Sequence, residues 1–301
     1  MDALIQSLVQ ANFAPERIAP QASMAQYTTL RIGGPAEVMV NIHSADEIAV
    51  ALRAAKQADA PVTIIGNGSN LLVRDGGIRG LVLRISGGLN AIRREGDCLL
   101  VQSLAAVAAF ARDEGLSGMA ELGGIPGTVG GGVLMNAGAY GAELAQLVTQ
   151  AEGVSLSDGR RVIYPANRLD FAYRHSALMD AGVVITQATL ALTPGDPEAI
   201  RARMEECAKA RREKQPLTLP SAGSTFKRPE GHFAAKLIDD CGLRGLTVGG
   251  AQVSEKHAGF IVNIGGATAR DMLELMRQVE QRVFEQTGVQ LEPEVRILGE
   301  D

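Results

Sequence analysis

Residues 123–141 read GGIPGTVGGGVLMNAGAYG, eight glycines in nineteen positions with no charge among them and Glu121 close by. Glycine loses more backbone freedom on folding than any other residue and costs about 1 kcal/mol against alanine inside a helix. An apolar segment this rich in glycine folds when something supplies the contacts that its missing side chains cannot. That is either neighbouring chain packed tightly on bare backbone or a bound molecule. Gly123, Gly124, Gly127, Gly130, Gly131 and Gly132 clear one continuous backbone surface, while Ile125, Pro126, Val129 and Leu134 keep it apolar. A flat aromatic ring and a diphosphate can both press against such a surface.

A second run of this kind lies upstream. TIIGNGSNLLV, residues 63–73, reads as a buried strand entering Gly66, Asn67, Gly68, Ser69 and Asn70. Glycine and asparagine reach positive φ at least cost, and successive N–H groups turned inward make a concavity suited to phosphate. The run is not GxGxxG, because Leu71 stands at the third glycine's place, and no GKS or GKT follows it. Alone it is equally an ordinary tight turn. Two such loops in one domain favour a dinucleotide held without the usual fingerprint.

Composition removes several other classes. With 301 residues, 46% hydrophobic and 21% charged, the chain is globular and long enough for two domains. No eighteen-residue apolar window occurs, and MDALIQSLVQANF lacks the basic start of a signal peptide, so a cytoplasmic protein is expected. Cys98, Cys207 and Cys241 are odd in number and form no CxxC, which suits a reducing compartment. His43, His175, His232 and His257 have no ligand spacing, so no metal is expected. A net charge of −5 argues against a nucleic-acid binder, and no obligate protein partner is evident.

Hydrophobic periodicity predicts a helix near 2–13, a strand-like run YTTLRIGGPAEVMV interrupted at Gly33, Gly34 and Pro35, a helix over 45–59 and a strand over 61–66. Strands follow at 80–86 and 98–103, then a helix at 104–115 and strands QAEGVSL, RRVIYPA and VVITQATLAL. Residues 196–216, almost all helix formers with six basic and five acidic side chains, read as a solvated connecting helix. Beyond it come strand FKRP, helix FAAKLIDDCG, strands in LTVGGAQVS and AGFIVNIG, a long helix ending at Gly288, and a last strand EVRILG. The expected architecture is an α+β chain with a domain over 1–195, in lobes of about 1–85 and 86–195, and a smaller α+β domain over 196–301.

GNGSN, GIPGTVGGGVLMNAGAYG, YRHSAL, AGSTFKRP, GHFAAKLI and LEPEVRILG, in this order, resemble the UDP-N-acetylenolpyruvoylglucosamine reductases, from about residue 25 to the C-terminus. The resemblance implies a two-lobed FAD domain of the vanillyl-alcohol-oxidase type and a C-terminal substrate domain. It implies FAD with its pyrophosphate near Gly66 to Asn70 and its ring near Gly123 to Gly141, which includes Asn136, Gly138 and Ala139. The first loop carries no histidine for covalent attachment, so the FAD is expected to be non-covalent.

The implied reaction moves hydride from NADPH through FAD to C3 of UDP-N-acetylglucosamine-enolpyruvate, after which C2 is protonated to give UDP-N-acetylmuramate. Arg174 in YRHS matches the family's active-site arginine, whose guanidinium can grip a carboxylate by two parallel hydrogen bonds. Ser224 matches the proton donor. Glu294, the second acid of LEPEVRIL, matches the acid expected to donate a hydrogen bond to the enolate. Lys227, Arg228 and Lys236 form a candidate patch for the UDP diphosphate. The interval between YRHSAL and AGSTFKRP fits the shorter subgroup without an inserted tyrosine loop, and Thr225 and Arg228 depart from residues common in longer relatives. A flavin oxidase of the same fold and a non-catalytic FAD-holding module are the rival readings.

Overall fold

The computed structural model describes residues 1–85, 92 and 103–301, so the strand read at 98–103, up to Val101 and Gln102, and Cys98 with it lie outside the described residues. Two compact units are present. The first comprises Met1–Ala19, Met39–Asn67 and Leu81–Ala210; the second comprises Pro20–Val38, Gly68–Gly80 and Arg211–Asp301. The second unit therefore takes two segments from the N-terminal part as well as the C-terminal ninety or so residues, whereas the sequence reading drew one break at 195/196.

The chain begins with α1 (Asp2–Gln10), β1 (Ile18–Ser23), β2 (Pro35–Ile42), α2 (Ala45–Gln57), β3 (Val62–Ile65), β4 (Leu71–Val73) and β5 (Ile78–Ile85). β1 escaped the sequence reading because IAPQAS contains Pro20 and Gln21, the latter at φ 52, and shows no alternation. The run 27–34 is not strand; β2 starts at Pro35, where a missing N–H costs nothing. A four-stranded sheet follows the order β1-β2-β5-β3, with β3 and β5 parallel from Val62 opposite Leu81. The α2 helix starts on Ser44, whose side chain accepts the Glu47 N–H at 3.2 Å, and α1 packs on it through Leu4 and Leu8.

Next come α3 (Leu104–Asp113), β6 (Leu116–Ser117), α4 (Val129–Leu134), β7 (Gly138–Ala139), β8 (Ala142–Glu143), β9 (Val148–Ser155), β10 (Arg161–Pro165), β11 (Val183–Leu190), β12 (Thr193–Pro194) and α5 (Pro197–Lys214). β9 is the centre of an antiparallel sheet, β10-β9-β11, and α4 lies on β11. The core of this part joins Leu104, Val107 and Ala108 of α3 to Val129 and Val133 of α4 and to Ala188 and Leu190 of β11.

The second unit adds α6 (Ala234–Asp240), β13 (Thr247–Val248), β14 (Ala251–Val253), β15 (Ile261–Asn263), α7 (Ala269–Thr287) and β16 (Arg296–Leu298). Helix α7 buries Ala269, Met272, Leu275, Met276, Val279 and Val283, a stripe at three- and four-residue steps, against the antiparallel β13-β14-β15 sheet. It ends at Gly288, φ 72, as the sequence indicates. β4 pairs in parallel with β16, Leu71 opposite Arg296, which ties residues 68–80 to the chain's end. FKRP is not a full strand; it contributes one antiparallel bridge, Phe226 to Pro293.

Candidate active site

The two glycine-rich segments meet inside the first unit. A Cβ on Gly66 would lie 2.8 Å from Thr128 Oγ1, and one on Gly131 would lie 3.3 Å from the same atom. Thr128 is the N-cap of α4 and accepts the Gly131 N–H at 3.1 Å. Three consecutive glycines hid this short helix from propensity reasoning, since each costs about 1 kcal/mol there.

Several glycines of the segment answer to packing. A Cβ would come 2.6 Å from the Ala108 methyl at Gly123, 3.1 Å from the Ile185 carbonyl at Gly130, 2.9 Å from Leu144 at Gly132 and 2.8 Å from the Ala142 carbonyl at Gly138. Three of these, Gly123, Gly130 and Gly132, belong to the six glycines read from the sequence as one cleared surface, which is therefore narrower. What remains open is backbone: Gly124, Pro126 and Gly131 are exposed, Ile125 and Gly127 half-buried. With Gly66 half-buried against Thr128 and Asn67 exposed next to it, this bare main chain is a cradle that an alanine would begin to fill, and it fits a dinucleotide.

The later half of the first loop belongs to the second unit. Gly68 has φ 63, and a Cβ on it would collide with the Tyr27 carbonyl; its own carbonyl accepts the Thr29 N–H at 3.1 Å. Ser69 is half-buried, its carbonyl accepting from Thr29 Oγ1 at 3.4 Å. Asn70 was read as a cofactor residue, yet its side-chain amide donates to the Glu294 carbonyl at 3.1 Å and its carbonyl accepts the Arg296 N–H at 3.0 Å. This asparagine stitches the loop to the segment that carries Glu294.

Within the second unit, Glu294 is bonded to Thr225, the residue next to Ser224. Thr225 donates its N–H to the Gly259 carbonyl at 2.9 Å, accepts the Ile261 N–H on Oγ1 at 3.0 Å and accepts the Glu294 N–H on its carbonyl at 2.8 Å. It is 2% exposed, so three backbone bonds and full burial hold the residue next to Ser224. Ser224 is exposed and Glu294 half-buried. On the other flank, His257 Nδ1 accepts the Gly259 N–H at 3.2 Å, and burial pushes its imidazole below the usual histidine range. Neither Thr225 nor His257 carries a sequence signal for this supporting role; both appear only as an ordinary threonine and histidine.

Arg174 belongs to the first unit. Ala172 and His175 exchange both backbone hydrogen bonds at 3.1 Å, which leaves Tyr173 and Arg174 as the two residues of a tight turn. Arg174 is at φ 54, a left-handed conformation that costs a non-glycine residue roughly 1–2 kcal/mol. Its Nη2 approaches the Gly138 carbonyl at 3.4 Å and its guanidinium lies 4.8 Å from the Tyr173 ring centre. Gly138 and Ala139 form one side of a two-residue hairpin with Ala142 and Glu143. Asn136, also read as a cofactor residue, is 1% exposed with its side chain turned inward.

The proposed basic patch is already engaged. Lys227 pairs with Glu292 at 3.3 Å, Lys236 with Asp240 at 2.8 Å, and Arg228 lies 4.4 Å over the ring of Phe233, itself 58% exposed. The second of these pairs is an i,i+4 couple legible in the sequence. Among the described residues, no group of three or more His, Cys, Asp or Glu side chains could hold a metal ion, and no helix is long and apolar enough to cross a membrane.

Comparison with known proteins covers both parts of the chain. Residues 36–163 match an FAD binding domain, and residues 215–298 match the UDP-N-acetylenolpyruvoylglucosamine reductase C-terminal domain. UDP-N-acetylenolpyruvoylglucosamine reductase of Pediococcus pentosaceus is 46% identical over 98% of this chain and 99% of its own length; that of Agathobacter rectalis is 48% identical over 92% of each. The crystal structure of UDP-N-acetylenolpyruvylglucosamine reductase from Thermus caldophilus superposes with a TM-score of 0.79 at 37% identity, covering 91% of this chain and 97% of that one. A 4-ethylphenol oxidase from Gulosibacter chungangensis shares the fold, with a TM-score of 0.50 at 14% identity over 96% of this chain and 64% of that one.

A glycine-cradled FAD domain of the vanillyl-alcohol-oxidase type, joined to a second α+β unit, defines an FAD-dependent oxidoreductase. Within that class the chain belongs to the UDP-N-acetylenolpyruvoylglucosamine reductase family.

Proposed function

We propose that this protein reduces UDP-N-acetylglucosamine-enolpyruvate to UDP-N-acetylmuramate with NADPH as electron donor, a cytoplasmic step of peptidoglycan precursor synthesis. The observation that carries the reading is the Glu294 N–H bonded to the Thr225 carbonyl at 2.8 Å, which sets Glu294 beside Ser224 within motifs the reductase family shares. FAD, when bound, supplies the carriage of hydride from NADPH to C3 of the enolpyruvyl group.

The protein's own groups manage charge and the proton. Gly66, Asn67, Gly124, Ile125, Pro126, Gly127 and Gly131 leave main chain open to the cofactor, with Ile125 and Pro126 as its apolar floor. Arg174 holds the substrate carboxylate and stays cationic while electron density builds there; a donor of this kind is worth roughly 3 kcal/mol, judged by oxyanion-hole deletions. Glu294 donates a hydrogen bond to the enolate. Ser224 gives its hydroxyl proton to C2, forming the new C–H bond, and its exposure lets water restore that proton.

The test is stopped-flow absorbance at the flavin band. In Ser224→Ala, reduction of the flavin by NADPH keeps the parent rate, while reoxidation by the enolpyruvyl substrate slows by roughly 10²–10⁴. Equal reoxidation in mutant and parent removes Ser224 from the chemistry. Reoxidation by oxygen alone, with no response to the enolpyruvyl substrate, would replace the reductase reading with an oxidase one.

A further inference from the structure

Asn136 makes three hydrogen bonds from full burial, two to the stretch 143–145 and one to Ala172. Its Nδ2 donates to Glu143 Oε2 at 3.0 Å and to the Ala172 carbonyl at 3.0 Å, while its Oδ1 accepts the Ala145 N–H at 2.9 Å. Two donors and one acceptor are thus used within the protein, which leaves its amide little to offer a ligand. Asn136 itself sits at φ 43 just past α4.

The Ala172 carbonyl is the first peptide oxygen of the turn that presents Arg174. It receives the His175 N–H from within the turn and the Asn136 amide from outside it. The other end of the turn is pinned as well, since Ser176 Oγ, fully buried, donates to the Leu134 carbonyl at 2.8 Å. Arg174 also reaches the carbonyl of Gly138, two residues beyond Asn136. A left-handed arginine in a turn is a conformation that surroundings must impose, and a satisfied buried amide imposes one geometry where an apolar residue would tolerate several.

We infer that Asn136 is a positioning residue for Arg174, holding the turn 172–175 in the one conformation that aims the guanidinium at the substrate carboxylate. The inference rests on the role proposed above for Arg174. It separates from that proposal because the hydrogen bonds of Asn136 run to Glu143, Ala145 and Ala172, the last in the turn's backbone.

Asn136→Asp is the direct test, because it turns a donor to the Ala172 carbonyl and to Glu143 into an oxygen facing both. Flavin content and the flavin spectrum report folding and loading. Half-reaction rate constants are read on the flavin-bearing fraction, so partial loss of fold lowers amplitude and not rate; Asn136→Ser, which keeps a short donor, serves if the first variant does not load. Reoxidation by the enolpyruvyl substrate should slow about 100-fold, the scale of a displacement near 1 Å at a reacting centre, with flavin reduction by NADPH within about threefold of the parent. Titration of oxidised enzyme with UDP-N-acetylmuramate, followed by the shift of the flavin band, should show weakened binding in Asn136→Asp and in Arg174→Ala alike. The double variant should reoxidise no more slowly than Arg174→Ala alone, since there is then no guanidinium to misplace.

Parent-like reoxidation in Asn136→Asp with slow Arg174→Ala overturns the inference and leaves the proposed function standing. So does a double variant slowed by the product of the single effects. Parent-like reoxidation in Arg174→Ala itself removes the arginine's role, and the inference falls with it.

Discussion

Replacing Gly66 by alanine tests the contact between the two glycine-rich segments. The added methyl would stand 2.8 Å from Thr128 Oγ1, 3.2 Å from its Cγ2 and 3.6 Å from its Cβ. Favourable carbon contacts begin near 3.5 Å, so the first two distances are too short and the third is ordinary. Gly66 has no left-handed φ, and the cost is therefore steric. The protein can accept the overlap at about 1–3 kcal/mol, or turn Thr128 away and lose its cap on the Gly131 N–H at about 1 kcal/mol. The cheaper route wins, giving about 1–2 kcal/mol for Gly66→Ala. Thr128→Ala alone loses only the cap, about 1 kcal/mol. The double variant keeps the 3.6 Å contact and has no cap left to disturb, so it too should lose about 1 kcal/mol and not the sum of two to three. Thermal unfolding in excess FAD reads this at about 2–4 °C per kcal/mol for chains somewhat smaller than this one. FAD affinity should not recover with stability, because the methyl still occupies bare backbone that the cofactor uses. Strict additivity of the melting losses would refute the contact, and full recovery of FAD affinity in the double variant would refute the cradle.

Two further outcomes follow from the second and first units. Asn70→Ala removes the donor to the Glu294 carbonyl, and the loss of one such bond, about 0.5–1.5 kcal/mol, should slow reoxidation by enolpyruvyl substrate three- to tenfold while NADPH reduction stays near the parent rate; unchanged reoxidation would leave the bond without a catalytic consequence. At the Arg17–Glu47 pair, with contacts of 2.9 and 2.6 Å, the arginine together with the His43 N–H holds the Glu47 carboxyl below its usual range. A depressed folded value means the pair stabilises above the unfolded pKa of about 4.3 and loses that stabilisation as pH falls through the lower folded one. Arg17→Met should therefore be less stable than the parent at pH 7, by about 1 kcal/mol for a pair only a quarter exposed, and the gap in urea midpoint should narrow as pH falls from about 4.3 and close below the lowered folded value. A gap that does not narrow at all down to about pH 2 would locate the effect in the arginine's other contacts, the Asn41 carbonyl at 2.6 Å and the Phe13 ring at 5.6 Å.

Most regular elements were legible because their burial is periodic. The apolar stripe of α7 and its Gly288 stop, the helix α2 and the strands β9, β10 and β11 follow from local pattern alone. Elements that depend on distant partners were not. β4 is three residues long and exists by pairing with β16 more than two hundred positions later, and α4 contains three glycines that only a cap and the surface of β11 make helical. The same distance effect explains why the second unit recruits 68–80, a segment whose sequence shows no allegiance to the C-terminal part.

The two asparagines mark where residue type misleads about role. In a glycine-rich stretch an exposed amide suggests a ligand contact, and nothing local to GNGSN or to MNAGAYG names Glu294 or Ala172 as the acceptor. Yet Asn70 is bonded to the backbone of the proposed acid and Asn136 to the turn of the proposed arginine, each within its own unit. Both amides stand at the edge of a loop whose main chain suits the cofactor.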